Sequence, residues 1–163
     1  MNKKIAKMSM LLSISVVLAL IESFIPIFNM IPGVKLGLAN IVIVFAIYVL
    51  SFTDALYLSL LRVILIGVLR TGLFSINFFF SLVGALLSIF AMYLFKKYTK
   101  MSIVGVSVSG AIFHSIGQII VAIIFLSNIN ILYYLPILLI SSIITGILVG
   151  MCVDRFLKYY NNY

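Results

Sequence analysis

Three ionisable side chains occur inside long apolar stretches of this sequence: Glu22, Arg62 and His114. An ionised group surrounded by apolar residues is costly, so such groups usually pair with one another or line a polar site. An arginine can bind an anion, while a carboxylate and an imidazole can bind or exchange protons. The further polar residues that we assign to the same candidate substrate-binding site are Lys35, Asn40, Arg70 and Gln118.

Each of these residues also has a structural interpretation. Glu22 and Arg62 could form an ion pair that only stabilises the protein interior, and His114 could be a hydrogen-bonded structural residue. A zinc site is not predicted, because His114 is the only histidine and the only cysteine, Cys152, is near the other end of the chain. Zinc sites take three or four His, Cys or carboxylate ligands. The sequence therefore predicts neither a metal nor a cofactor.

The composition places these residues in a membrane protein. Of the 163 residues, 65% are hydrophobic and only 9% are charged, whereas soluble proteins carry about 25% charged residues. A backbone surrounded by lipid must satisfy its own hydrogen bonds, which leaves helices or a closed barrel. Barrel strands alternate apolar and polar residues, but segments 41–50 and 119–126 are continuously apolar. The predicted fold class is therefore all-α, an integral membrane bundle.

About 20 helical residues cross the ~30 Å hydrocarbon layer of a bilayer. A loop containing two prolines and Gly33 ends the first apolar stretch, and the turn 127–130 divides the last one. The sequence therefore predicts a single transmembrane domain, 1–163, of six transmembrane helices. Their predicted ranges are 7–25, 36–51, 54–73, 76–95, 102–126 and 132–155.

The basic residues are distributed unequally over the predicted loops and ends. If the N-terminus is cytoplasmic, eight basic residues lie inside, and only Lys35 and Arg70 lie outside. This asymmetry follows the positive-inside rule. It predicts a multi-pass protein of the cell membrane with both termini in the cytoplasm, and it explains the net charge of +8 without nucleic acid. The eight inside residues are Lys3, Lys4, Lys7, Lys96, Lys97, Lys100, Arg155 and Lys158.

Helical geometry places the polar candidates in the outer half of the bilayer. At a rise of 1.5 Å per residue, Glu22 and His114 lie about 20 and 18 Å from the cytoplasmic side, and Arg62 lies about 12 Å from it. Small and polar residues share one face of the fifth helix and one face of the fourth. These stripes predict an outward-facing polar pocket, or else only close helix packing. The fifth-helix stripe is Ser107, Gly110, Ala111, His114, Gly117 and Gln118, and the fourth-helix stripe is Asn77, Ser81, Gly84, Ala85 and Ser88.

The first helix has two separate faces of small and polar residues. Ser15 and Ala19 share a face with Glu22, which directs them toward the predicted pocket. The other face, near the cytoplasmic side, is predicted to contact a partner protein. We call it the docking face, and it consists of Ala6, Ser9 and Ser13.

The segment 32–40, with the sequence P-G-V-K-L-G-L-A-N, resembles a motif of the Gx transporter family, with Glu22, Arg62, His114 and Gln118 as supporting matches. That family is also catalogued as heptaprenyl diphosphate synthase component I. It is placed among the substrate-binding S-components of energy-coupling factor (ECF) importers. These six-helix proteins bind a vitamin or related micronutrient from outside.

The resemblance implies three partners besides the lipid bilayer: a transmembrane T-component, a cytoplasmic ATPase pair and a small-molecule substrate. S-components often dock through A-x-x-x-A on the first helix. This chain lacks a literal copy of that pattern, and Ser9-x-x-x-Ser13 in the docking face is among the nearest equivalents.

Two other functions remain open from the sequence. Prenyl transfer needs clustered carboxylates to hold magnesium, but Asp54, Asp154 and Glu22 are far apart. No phosphate-binding G-x-x-x-x-G-K-[ST] loop is present either. The chain is therefore predicted not to be an enzyme, although it could be an accessory subunit in heptaprenyl diphosphate synthesis. It could also be a non-transport membrane partner in quinone-linked or flavin-linked electron transfer.

Overall fold

The computed structural model describes residues 2–24 and 37–161, which form six helices and no strand. The prediction of an all-α membrane bundle of six helices is confirmed. The helices are α1 Asn2–Ser23, α2 Leu38–Val49, α3 Phe52–Ile66, α4 Ile76–Tyr98, α5 Ile103–Leu126 and α6 Leu135–Asn161. A π-helical turn, Gly67–Thr71, extends α3, and a 3₁₀ segment, Ile129–Tyr134, leads into α6.

Five of the helices are long and apolar enough to cross a membrane, and α2 is the exception. Its 12 residues are about 18 Å long, less than the ~30 Å of hydrocarbon. It is also shorter than the predicted range 36–51. The helix begins at Gly37, whose φ of 74° is a left-handed conformation that suits glycine.

Serine side chains begin three of the helices. Ser51 accepts a hydrogen bond from the Asp54 backbone N–H, and Asp54 in turn accepts one from the Ser51 N–H, so α3 begins with a capping box. Ser75 and Ser102 cap α4 and α5 with the side chain alone, since each accepts a hydrogen bond from the N–H of the third helical residue. These caps satisfy backbone N–H groups that have no partner inside the helix.

Glycines bring α4, α5 and α6 into backbone contact. A β-carbon on Gly117 of α5 would lie 2.8 Å from the Cα of Gly84 in α4. A β-carbon on Gly150 of α6 would lie 2.6 Å from the Cα of Val104 in α5. Such distances leave no room for a side chain, and small residues at helix contacts are what allow helices to associate in lipid.

Both chain ends lie at one end of the bundle, which we call the terminal end. There the Lys7 Nζ donates to the Tyr160 hydroxyl at 2.6 Å, joining α1 to α6. The Lys4 ammonium pairs with Asp54 at 2.8 Å, which joins α1 to the start of α3. The opposite end, where α1 finishes and α2 begins, is the loop end. The terminal end is the one that the sequence predicts to be cytoplasmic.

Candidate binding site

The carboxylate of Glu22 lies at the N-terminus of α2. Its Oε1 accepts a hydrogen bond from the Gly37 N–H at 2.8 Å, and its Oε2 accepts one from the Leu38 N–H at 3.0 Å. The first N–H groups of a helix lack intrahelical partners, and the helix dipole favours a negative charge there. Glu22 thus caps a neighbouring helix with both carboxylate oxygens, and it fastens the end of α1 to the start of α2.

Arg62 and Asn40 form the second polar contact of the site. Arg62 is only 7% exposed, and its guanidinium donates to the Asn40 Oδ1 at 3.0 Å, joining α3 to the first turn of α2. The described residues contain two ion pairs, Lys4–Asp54 and Lys158–Asp154, and Arg62 is in neither. Glu22 attracts Arg62 electrostatically without a direct contact. The alternative of a direct Glu22–Arg62 ion pair is therefore wrong for this conformation.

A small cavity lies beside Asn40, between α2, α4, α5 and α6. Its volume is about 20 Å³, which holds one or two water molecules at about 10–15 Å³ each. Pockets for small-molecule ligands measure about 300–1,000 Å³, so the site is closed in this conformation. The lining residues that matter below are Gly37, Asn40, Ser88, Ser107, Gly110 and Thr145.

His114 and Gln118 lie one and two turns from the cavity toward the loop end. They continue the α5 face that carries Gly110 into the cavity, and neither lines the cavity itself. The His114 ring packs on Gly84 so closely that a β-carbon there would lie 2.9 Å from the imidazole Cε1. Gln118 is 6% exposed, and its Oε1 has no hydrogen-bond partner among the described residues. Both side chains therefore belong to the wall between the cavity and the loop end.

Arg70 takes a different position from the other predicted site residues. It is exposed on the π-helical turn, where its Nη2 donates to the Ser23 carbonyl at 2.8 Å. Its guanidinium carbon lies 5.9 Å from the centre of the Phe24 ring. Arg70 thus fastens the end of α1 to α3. The remaining predicted residue, Lys35, lies outside the described residues.

Three polar cavity residues were absent from the predicted site: Ser88, Ser107 and Thr145. Ser88 and Ser107 occur in the small-residue stripes of the fourth and fifth helices, but the stripes could not separate pocket residues from packing residues. Thr145 lies in an isoleucine-rich segment and gives no signal in the sequence. The cavity itself is the observation that identifies all three.

The docking face of α1 lies on the outside of the bundle. Ala6, Ser9 and Ser13 are all exposed, whereas Ser15 is fully buried with its Oγ 3.5 Å from the Ala39 carbonyl oxygen. Only 11% of the apolar segment of α1 is buried, compared with 44% in α5. The first helix therefore leaves most of its surface available to lipid or to a partner.

No metal-binding cluster is found among residues 2–24 and 37–161. In that part of the chain, no three His, Cys, Asp or Glu side chains come together. The described polar groups of the site are a buried guanidinium, a carboxylate, amides, hydroxyls and helix N–H groups.

Comparison with known families gives one match, which covers residues 11–156 and so runs from α1 to α6. The matching family is described as heptaprenyl diphosphate synthase component I. The chain belongs to this family. The sequence had indicated it from segment 32–40 together with Glu22, Arg62, His114 and Gln118, and that prediction is confirmed. No curated protein and no solved structure matches the chain.

Proposed function

We propose that the protein is the membrane-embedded substrate-binding component of an ECF-type importer for a small anionic or zwitterionic micronutrient. The observation that carries the proposal is Arg62, a buried cation whose hydrogen bond goes to the neutral amide of Asn40. Glu22 attracts this guanidinium only from a distance, because both of its carboxylate oxygens are bonded to N–H groups at the start of α2, and a buried charge without a direct counter-charge is unfavourable. Because a guanidinium has five donors, an anionic ligand can bind Arg62 while the bond to Asn40 remains.

The short helix α2 supports a transport role. In many membrane transporters, interrupted helices place their N-termini near the middle of the bilayer, where the positive ends bind anionic substrate groups. Here Glu22 already accepts from the first N–H groups of α2. The positive end of the helix is thus satisfied internally, and Arg62 remains as the cation for the ligand.

The proposed partners follow from the resemblance and are supported by the position of α1. The exposed docking face, Ala6, Ser9 and Ser13, is suited to a T-component, since close contact between helices in lipid needs small side chains. The ATPase pair would supply the energy for opening the closed site. The concentration of basic residues at the terminal end supports a cytoplasmic location for both chain ends in the cell membrane.

Mass spectrometry of co-purified small molecules tests the proposal. Wild-type protein from cells grown in rich medium should retain an anionic or zwitterionic molecule, and Arg62→Gln should lose it. Arg62→Lys keeps the positive charge but loses the planar guanidinium, which can donate two parallel hydrogen bonds. It should therefore retain a reduced amount of the molecule. Arg70→Gln is the matched control and should retain as much as the wild type. The proposal is wrong if monodisperse Arg62→Gln retains the same molecules as the wild type.

The family description favours a second candidate, an accessory membrane subunit in heptaprenyl diphosphate synthesis. A diphosphate is also an anion, so Arg62 would have the same role in this case. The two functions differ in their partners. Recovery of a prenyltransferase catalytic subunit with the affinity-purified protein, in place of a T-component, would favour this candidate.

A further inference from the structure

The cavity beside Asn40 and the proposed anion site at Arg62 have one residue in common. Asn40 belongs to both, because its Oδ1 accepts from Arg62 and the residue also lines the cavity. Along α2 the cavity extends from Gly37 to Val44, which is about 10 Å at the helical rise per residue. Only the part from Asn40 to Val44, about 6 Å, lies toward the terminal end, and a molecule bound at Arg62 can extend along α2 over that distance.

The polar side chains of this cavity are hydroxyls and an amide, and none of its lining residues is ionisable. Ser107 donates to the Gly146 carbonyl at 2.8 Å, and Thr145 donates to the Ser142 carbonyl at 3.2 Å. A charged group entering here would lose its hydration without gaining a counter-charge, which is far costlier than burying a neutral polar group. The lining therefore selects for an uncharged group that forms hydrogen bonds.

Ser88 provides the second observation that points to a bound molecule. It is only 5% exposed, it lines the cavity, and its hydroxyl has no hydrogen bond to any described residue. A helical serine often bonds to a carbonyl one turn earlier. The Ser88 hydroxyl makes no such bond and lines the cavity, so it is available to a polar atom of a bound molecule.

One residue that lines the cavity, Met92, has a flexible side chain. A β-carbon on Gly110 would lie 2.5 Å from the Met92 Cγ and 3.1 Å from the Ser88 Oγ, so Met92 fills the space opposite this glycine. Methionine has an unbranched, flexible side chain that adapts to the shape around it. A rotation of Met92 would enlarge the cavity next to Ser88 without moving a helix.

We propose that the part of this cavity lined by Ser88, Ser107 and Thr145, which we call the slot, binds the uncharged hydrogen-bonding end of the transported molecule. The proposal rests on the proposed function, since it takes Arg62 as the site of the anionic group. The substrate class is then a molecule with an anionic group at one end that extends about 6 Å beyond that group along α2. Its other end carries a hydroxyl, amide or carbonyl group and no charge.

Cysteine reactivity tests the slot without knowledge of the ligand. Single cysteines are introduced as Ser88→Cys, Thr145→Cys and Asn40→Cys in a Cys152→Ser background, and the purified proteins react with two reagents of similar length. One is neutral hydroxyethyl methanethiosulfonate, and the other is anionic sulfonatoethyl methanethiosulfonate. For each cysteine, the rate with the neutral reagent is divided by the rate with the anionic reagent, and this ratio is compared with the same ratio for a small free thiol. The comparison removes differences in intrinsic reactivity between the cysteines.

The slot cysteines, Ser88→Cys and Thr145→Cys, should prefer the neutral reagent by about tenfold or more, because the anion cannot be neutralised there. Asn40→Cys, beside Arg62, should prefer the anionic reagent by about tenfold. The matched control is Ser109→Cys, because Ser109 is buried on α5 but does not line the cavity. This control should react with neither reagent.

Each contrary result has a separate meaning. If Ser88→Cys and Thr145→Cys are as unreactive as Ser109→Cys, the slot admits water only and the inference is wrong. The inference also fails if these two cysteines react as fast with the anionic reagent as with the neutral one. If only Asn40→Cys lacks its expected preference, the anion site at Arg62 is wrong and the neutral slot stands.

Discussion

Apolar packing and hydrogen bonds occur throughout the bundle, but the closest contacts among the first three helices differ from those among the last three. Long polar side chains join α1, α2 and α3: Glu22 binds the start of α2, and Arg62 binds Asn40. By contrast, α4, α5 and α6 meet at glycines, where a β-carbon on Gly117 or Gly150 would overlap neighbouring backbone atoms. Hydrogen bonds between side chains can break and re-form singly, whereas an interface without free volume cannot shift by small steps.

The candidate site lies at the boundary between these two halves. Asn40 and Arg62 come from the polar-linked half, and Ser88, Ser107 and Gly110 come from the glycine-packed half. We therefore expect the backbones of the glycine-packed half to stay fixed, while single side chains there, such as Met92, change conformation. The polar-linked half would move when a ligand enters the closed cavity.

The largest effect should come from filling the glycine interface. Gly117→Leu places a side chain against the backbone of Gly84, and overpacking of this kind costs more than about 3 kcal/mol when no neighbour can yield. We expect little or no monodisperse protein in size-exclusion chromatography. Gly105→Leu on the same helix is the control, because only Met101 side-chain atoms approach a β-carbon there, at 3.3 Å or more. Equal behaviour of the two variants would contradict the importance of the interface.

Removing the hydrogen bonds between Glu22 of α1 and the start of α2 should have an intermediate effect on stability. Glu22→Ala leaves two N–H groups of α2 without acceptors, and each such group costs about 1–3 kcal/mol when buried. The melting temperature in detergent should fall, and Glu22→Gln, which keeps one acceptor oxygen, should lie between Glu22→Ala and the wild type. If Glu22→Ala melts like the wild type but loses its bound molecule, the carboxylate contacts ligand instead of capping the helix.

A smaller effect is expected from the exposed link between α1 and α3. Arg70→Gln loses the hydrogen bond to the Ser23 carbonyl, which contributes about 1 kcal/mol or less at the surface. Its melting temperature should fall less than that of Glu22→Ala, and its bound molecule should be retained. Loss of the molecule with unchanged melting would place Arg70 in the binding site.

The smallest effect on stability is expected at the docking face. Ser13→Leu substitutes an exposed residue, so the melting temperature should not change. If the face binds the T-component, recovery of that partner should fall about tenfold, equivalent to about 1.4 kcal/mol of association free energy. Ser15→Leu should instead lower the melting temperature more than it lowers recovery of the partner, because Ser15 is fully buried. A reversed pattern would mean that the two faces of α1 are assigned the wrong way round.

The sequence determined the class of the protein, its helices and its family. Continuous apolar runs leave helices as the structure that satisfies the backbone in lipid, so the bundle could be predicted without any contact information. A cap at Ser51 can also be recognised in the sequence, because capping depends on residues that are neighbours in the chain. Because Glu22 and Arg62 are polar residues within apolar segments, the sequence was enough to predict that they contact other polar groups in the interior.

Only the tertiary structure decided what each polar residue contacts. A carboxylate that caps a helix and one that lines a pocket both face the interior, so the sequence could not separate these roles for Glu22. Arg62 and Arg70 are the same residue type eight positions apart, yet the first is buried against Asn40 and the second is exposed on a π-helical turn. These contacts join residues distant in the chain. They depend on how the helices pack, which hydrophobic periodicity does not encode.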